Sequence, residues 1–364
     1  MKLTYDYQIF SLQMYGGISR YIYELASRIA LRNEFEVSIP AFLYINQYLK
    51  HLNSSYRSGV LIPPIPKTRK IRLTINHLLS KIYFKYQTPD ILHETYYSFQ
   101  RSAPQETRIV LTVYDLIHEK FSQFFPRIDE TVQMKKKAIR RADRIICISE
   151  NTRRDLLEYY DVVPEKVSVI YLGSSLTWQS KIDSKALPAP YILYVGERKG
   201  YKNFARLLEA FALSKRLNSE FNLICFGSQP FSNEELRWLH ELGLNLEQVR
   251  HVSGNEGTLA SWYAGAAIFV YPSLYEGFGI PPLEAMSCGC PVVCSKAGSI
   301  PEVVGNAAEF FDPYQPESIA DALLRVLDSS DRTKELIRLG REQVKRFSWE
   351  KCVEETCLVY QSLI

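Results

Sequence analysis

Glu276 and Glu284 bracket the stretch Glu276-Gly-Phe-Gly-Ile-Pro-Pro-Leu-Glu284, and their surroundings limit what they can do. Gly277 and Gly279 let the backbone approach a ligand closely. Pro281 and Pro282 suit the first turn of a helix, whose N-terminal N–H groups attract an anion. A carboxylate cannot solvate a phosphate, so two acids in such a turn need other partners. Vicinal hydroxyls supply them: Glu276, at a strand end, suits a sugar, and Glu284, inside the helix, suits a ribose. The pattern predicts a nucleotide-sugar site. The alternative, a plain strand-to-helix turn with two solvated acids, requires paired acids, two glycines and two prolines to coincide.

A sugar nucleotide carries a diphosphate of charge about −2, which must be neutralised as it departs. Gly196-Glu-Arg-Lys-Gly-Tyr-Lys-Asn203 offers Arg198, a planar fork, and Lys202, a mobile point charge. A basic surface loop is the other reading. Tyr15-Gly-Gly-Ile-Ser-Arg20 places Gly16 and Gly17 where a helix opens, so their N–H groups can meet phosphate. A third loop follows the strand Ile109-Val-Leu-Thr-Val113 and holds Tyr114, Asp115 and His118.

The Glu276–Glu284 stretch resembles the signature of retaining glycosyltransferases of family 4, which have the GT-B fold. The resemblance continues through Ala285-Met-Ser-Cys-Gly-Cys-Pro-Val-Val-Cys294 and Gly298-Ser-Ile-Pro-Glu-Val-Val304. It implies that Glu276 holds the donor sugar, Glu284 the ribose, and Arg198 and Lys202 the diphosphate. It further implies a donor site lined by Gly16, Gly17, Gly277, Phe278, Gly279, Ile280 and Leu283, with backbone near Val252 against the base. Family members often carry His-Asp after the third strand. Here Tyr114 stands in place of that His, Asp115 matches, and either Tyr114 or His118 is left for the missing role. No Asp-x-Asp occurs anywhere, so no metal and no other cofactor is expected.

Strand-like and helix-like segments alternate along 364 residues, which predicts an α/β fold with parallel sheets. The expected architecture is GT-B: two Rossmann-like domains facing each other across a deep cleft. The N-terminal domain is expected over 1–172, a linker over 173–190 and the nucleotide-sugar domain over 191–346, and the resemblance implies that a C-terminal helix over 347–364 packs back on the first domain. Strands are expected at Leu3–Ile9 and Ala267–Tyr271, among others, and helices at Ile18–Ala30 and Asn203–Leu217.

Seven cysteines, an odd number, argue against a disulfide framework. Cys288, Cys290 and Cys294 cluster without a His partner and read as small buried residues rather than zinc ligands. Met1-Lys-Leu-Thr-Tyr-Asp lacks the regions of a signal peptide, and no apolar run matches a membrane span, so a cytoplasmic protein is expected. Charge is uneven. Residues 1–172 hold 25 Lys and Arg against 17 Asp and Glu, and the remainder holds 19 against 23. No nucleic-acid motif accompanies the basic half. The run Lys67-Thr-Arg-Lys-Ile-Arg72 reads as a mobile loop leading into an apolar helix, suited to the inner face of an anionic membrane.

The expected reaction is metal-independent, retaining transfer of a hexose from a nucleoside diphosphate to a glycan acceptor, lipid-linked or soluble, in surface polysaccharide synthesis. UDP-glucose is the favoured donor and GDP-mannose the next. A sugar-nucleotide 2-epimerase is the alternative, and a non-enzymatic sugar-nucleotide sensor a weaker one.

Overall fold

The computed structural model describes residues 1–174, 176, 190–227 and 229–364. Most of the expected linker lies outside them. The chain forms two compact units: Met1–Leu172 with Trp349–Ile364, and Gly173–Ser348. The first holds strands β1 (Lys2–Tyr5), β2 (Glu36–Tyr44), β3 (Arg57–Leu61), β4 (Ile91–Glu94), β5 (Arg108–Val113), β6 (Arg144–Cys147) and β7 (Val167–Val169). The second holds β8 (Tyr191–Val195), β9 (Asn222–Phe226), β10 (Val249–Val252), β11 (Ile268–Tyr271), β12 (Val292–Ser295) and β13 (Ala308–Phe311).

The sheets run β3-β2-β1-β4-β5-β6-β7 and β10-β9-β8-β11-β12-β13, and every pairing is parallel. Each is the Rossmann-like order, with its reversal between the first and fourth strands. Parallel strands are covered by helices on both faces, which is why they read as continuous apolar runs. In the second unit Ile192, Leu223, Ile268 and Val293 from the sheet pack with Leu207, Phe211 and Leu323 from helices.

Local chemistry moves several expected boundaries. The strand expected over Leu3–Ile9 stops at Tyr5, because the Asp6 carboxylate accepts hydrogen bonds from Gln8 N and Thr95 N at 3.1 Å each. A helix, Gln8–Leu12, follows instead. Ser214 divides the helix expected over Asn203–Leu217: its hydroxyl accepts from Leu217 N and caps a second helix, Lys215–Glu220. The loop expected at Lys67–Arg72 is already helical from Arg69, within an 18-residue helix Arg69–Tyr86.

The C-terminal helix Trp349–Gln361 belongs to the first unit and lies along the helix Gly17–Ile29, where the Trp349 and Tyr21 rings stack at 6.3 Å. A buried polar chain fastens it. His93 Nδ1 lies 2.6 Å from the Tyr360 hydroxyl and Nε2 lies 2.8 Å from Thr112 Oγ1, while the Tyr5 hydroxyl meets Tyr360 at 3.1 Å. Burial lowers the His93 pKa to about 3, so this imidazole is neutral in the fold.

Tyr360→Phe should cost about 1–3 kcal/mol, because it leaves a buried ring nitrogen unpaired. His93 also sets a pH dependence. The unfolded chain takes up a proton near the ordinary value of 6.5, and the folded one only near 3. Stability should therefore fall as pH drops below 6.5, by about 1.4 kcal/mol per pH unit relative to His93→Gln. Urea unfolding of both proteins across that window checks it.

Candidate functional site

In the second unit the strand order reverses between β8 and β11, and the loops leaving their carboxyl ends are Gly196–Asn203 and Pro272–Gly279. Ligands of open parallel sheets bind at such a reversal. The structure brings two expected residues together there: Lys202 Nζ lies 2.7 Å from Glu276 Oε1. The Tyr271 hydroxyl also bonds to the Glu276 carboxylate, and burial followed by that carboxylate raises the Tyr271 pKa well above its ordinary value. The Lys202 ammonium sits 5.2 Å from the Tyr201 ring centre and 5.8 Å from that of Tyr271. A cation beside a carboxylate and two ring faces is held in place by both kinds of contact.

The two loops are tied by one backbone bond and by the Asn203 side chain. Leu274 N donates to Tyr201 O at 2.7 Å, and Asn203 Nδ2 donates to Pro272 O at 3.1 Å and lies 2.7 Å from Pro313 O. Asn203 sits at φ +59°, a conformation Asn tolerates better than most side chains.

Glu276 itself is set by Gly298 and Ser299, to which the sequence pattern assigns no role. Ser299 Oγ lies 2.9 Å from the Glu276 carbonyl and 2.7 Å from the Phe278 carbonyl, sharing one proton between them. Gly298, at φ +56°, brings that serine in; a Cβ there would come within 3.0 Å of both Glu276 N and O. The signal was present in the Gly-Ser step, but only the fold shows which turn it braces.

Glu284 lies in the helix Ile280–Ser287, is 5% exposed, and accepts from the Tyr263 hydroxyl at 3.5 Å. Gly279 precedes this helix at φ +118°. A helix start leaves four N–H groups without an intrahelical acceptor. Pro281 and Pro282 carry none, so Gly279 and Ile280 are the donors this turn can offer. Gly277 is buried, Phe278 packs edge-on to Phe347 at 5.7 Å, and the Leu283 side chain is fully buried. Val252 ends β10, and its carbonyl accepts from Gly227 N at 2.9 Å.

Arg198 is placed differently from Lys202. Its Nε donates to Glu235 Oε1 at 2.7 Å and its Nη2 to Gln229 O at 2.6 Å, with the guanidinium 4.8 Å from the Phe231 ring centre. Both members of this pair are buried. Burial pushes the Glu235 carboxyl up, and the hydrogen bonds from Arg198 and Ser232 outweigh it, leaving the pKa below the ordinary value.

The remaining expected residues belong to the first unit. Gly16 and Gly17 begin the helix Gly17–Ile29, where Ser19 N donates to Gln13 Oε1 at 3.2 Å. Tyr114 is buried and its hydroxyl donates to Thr95 O at 2.9 Å. Asp115 Oδ1 accepts from Ile117 N, and its carbonyl accepts from the fully buried Lys135 ammonium at 2.8 Å, which also pairs with Glu119. His118 stacks on Phe125 at 3.9 Å, its Nδ1 is buried without a hydrogen-bond partner among the described residues, and Nε2 lies 3.7 Å from Asp129. Burial lowers its pKa against the opposing pull of Asp115.

Residues 15–177 match the family model Glycosyltransferase Family 4, and residues 179–343 match Glycosyl transferases group 1. The chain is 29% identical to the O-antigen chain mannosyltransferase B of Escherichia coli, over 95% of this chain and 96% of that one. It is 31% identical to the MMP alpha-(1->4)-mannosyltransferase of Mycolicibacterium hassiacum, over 64% of this chain and 57% of that one. Sucrose-phosphate synthase from Thermosynechococcus elongatus superposes with a TM-score of 0.80 at 21% identity, covering 100% of this chain and 99% of that one. That likeness shows the fold, GT-B, with its two Rossmann-like domains.

The Arg198–Glu235 pair makes a prediction of its own. Arg198→Ala strands a buried carboxylate and should cost about 3–5 kcal/mol of stability, while Arg198→Leu with Glu235→Leu should recover much of it. Urea unfolding of the single and double variants measures both. A stable Arg198→Ala protein would show that the pair is not a support of this loop.

Proposed function

We propose that this chain, which belongs to the family 4 glycosyltransferases, moves a mannose from a nucleoside diphosphate to a glycan hydroxyl in surface polysaccharide synthesis. The carrying observation is the Lys202–Glu276 pair at the strand reversal. It sets a cation for the diphosphate beside an acid for the sugar. The sequence alone put UDP-glucose ahead of GDP-mannose; the two mannosyltransferase relatives support the opposite order. Both family models are of transferases, so the epimerase alternative gains no support from them.

In this reading the bond between the anomeric carbon and the phosphate oxygen breaks as the acceptor oxygen attacks from the same face. The departing phosphate takes the acceptor's proton. Glu276 accepts hydrogen bonds from the sugar hydroxyls and Glu284 from the ribose. Lys202 meets the charge that grows on the phosphate, and Gly279 and Ile280 offer N–H groups to it. Arg198 supports the loop through Glu235. Positioning, not an enzyme nucleophile, supplies the rate. Retention follows the family resemblance, and the absence of Asp-x-Asp from the sequence motivates a reaction without metal. The acceptor is a glycan, lipid-linked, at the inner face of the cytoplasmic membrane.

Glu276→Gln should leave affinity for the bare nucleoside diphosphate unchanged and slow turnover by about one to two decades, the worth of a charge-assisted hydrogen bond. Glu284→Ala should weaken both nucleotide and sugar nucleotide. Calorimetry and single-turnover assays separate the two. Equal loss of both ligands in Glu276→Gln would sink its assignment to the sugar.

A thermal-shift panel of GDP-mannose, UDP-glucose and ADP-glucose tests the donor. Ligand at a hundred times its Kd adds about 2.7 kcal/mol, enough to raise the melting temperature measurably. GDP-mannose should give the largest shift, and turnover should survive EDTA. A response to UDP-glucose alone would overturn mannose, and strict metal dependence would overturn charge neutralisation by Lys202.

A further inference from the structure

The helix Arg69–Tyr86 is turned inside out. Successive residues advance by about 100°, so Arg72, Asn76, Ser80 and Phe84 share one face, and that is the buried face. It is held by polar bonds. Arg72 Nε donates to Ser11 O at 2.9 Å, Asn76 Nδ2 donates to Leu43 O at 2.8 Å, and Asn76 Oδ1 accepts from Leu43 N at 3.0 Å. The opposite face is apolar and in solvent: Ile71 is 62% exposed, Leu78 56%, Ile82 53% and Tyr86 81%. Lys70, Lys81 and Lys85 run along one flank of this stripe and are exposed. Lys67 and Arg69 lie exposed at its start, with Ile65 57% exposed beside them.

Charge identifies the occupant of this face. From residue 37 to residue 89 the sequence holds eight Lys and Arg and not one Asp or Glu. A second copy would bring two such surfaces together with like charges opposed. An apolar stripe with a cationic flank has the composition of a helix lying in the headgroup layer of an anionic bilayer.

We propose that the exposed face of the Arg69–Tyr86 helix docks the first unit on an anionic lipid bilayer. Ile71, Leu78, Ile82 and Tyr86 enter the headgroup boundary, and Lys67, Arg69, Lys70, Lys81 and Lys85 meet lipid phosphates. This replaces the expectation of a loop over Lys67–Arg72 as the contact. Arg72 points inward to Ser11 and takes no part. The proposal extends the reading of a lipid-linked acceptor, but vesicle binding is measured without donor or acceptor and so stands or falls separately from transfer.

Co-sedimentation with phosphatidylcholine vesicles, and with vesicles of equal parts phosphatidylcholine and phosphatidylglycerol, tests it. The wild-type protein should pellet with the anionic vesicles at low salt and be released as molar salt shortens screening to about 3 Å. Each lysine at an anionic surface is worth about fivefold in partitioning, so Lys70→Gln, Lys81→Gln and Lys85→Gln together should cost about a hundredfold. Leu78→Ser with Ile82→Ser should cost at least about tenfold, since two aliphatic chains no longer leave water. Both variants should keep the wild-type circular dichroism and donor affinity. A wild-type protein that ignores anionic vesicles at low salt overturns the proposal, as do variants that bind vesicles like wild type. A dimer dissolved by Leu78→Ser with Ile82→Ser, without vesicle binding, would assign the face to a second copy. Intact vesicle binding without any donor affinity would leave this proposal standing and overturn the proposed function instead.

Discussion

Keeping Lys202 Nζ 2.7 Å from Glu276 Oε1 is the constraint on which the second unit is organised. The residues are 74 positions apart and come from different loops, so nothing local can hold them. The pairing of β8 with β11, Ile192 opposite Ile268, fixes where the two strands end. Asn203 then binds one loop to the other, and Gly298 and Ser299 brace the far side of the Glu276 turn. Parallel pairing makes this possible, because every strand delivers its following loop to the same edge. An antiparallel neighbour would put its loop at the opposite end.

Both units pair buried ions, but in different places. In the second, the paired ions flank the strand reversal: Lys202 with Glu276, and Arg198 with Glu235. In the first, Lys135 pairs with Glu119 and Arg141 with Glu94, while β1 and β4 also hold buried groups without an ionic partner among the described residues. Asp6 is bound by Gln8 and Thr95 at the end of β1, and burial raises its pKa against those bonds. His93, one strand away, is held neutral by burial. Arg141 closes on Glu94 with bonds of 2.7 and 3.0 Å to its two oxygens and spans the helix Thr131–Arg141 to β4. A buried charge that is already paired resists a new ligand unless the ligand repays its desolvation. Lys202, 19% exposed at its side chain against 3% for Arg198, is the cation better placed to respond to an arriving phosphate.

The GT-B fold and the Glu276–Glu284 turn were legible because both depend on short-range signals. Buried parallel strands are unbroken apolar runs, and the turn needs glycine and proline at set places. What escaped depends on partners distant in sequence. The end of β1 is decided by Asp6 reaching Thr95, 89 residues away. β3 lacks an apolar run because it is a half-exposed edge strand with Gly59 at φ +131° against Ala41. Arg198 and Lys202 look alike in one loop, and only Glu235 and Glu276, from two other elements, set them apart. Tyr114 stood as one option for a missing His, but its hydroxyl is taken by the Thr95 carbonyl. His118 has the buried nitrogen without a partner among the described residues.

The Arg69–Tyr86 helix follows from the same rule about partners. Apolar periodicity alone would turn Ile71, Leu78 and Ile82 inward, yet that orientation removes the bonds from Arg72 and Asn76 to Ser11 O and to the Leu43 backbone groups. Leu43 follows the register shift of β2 against β3, and its N–H and carbonyl are the backbone groups that the helix meets. Asn76 is the side chain that answers both, since an amide donates and accepts at once. Burying Asn76 and Arg72 to meet those groups rotates the helix and sends its aliphatic residues outward. Those bonds account for the face that the helix turns to its surroundings. The lack of any acid from 37 to 89 keeps that surface positive over its whole extent.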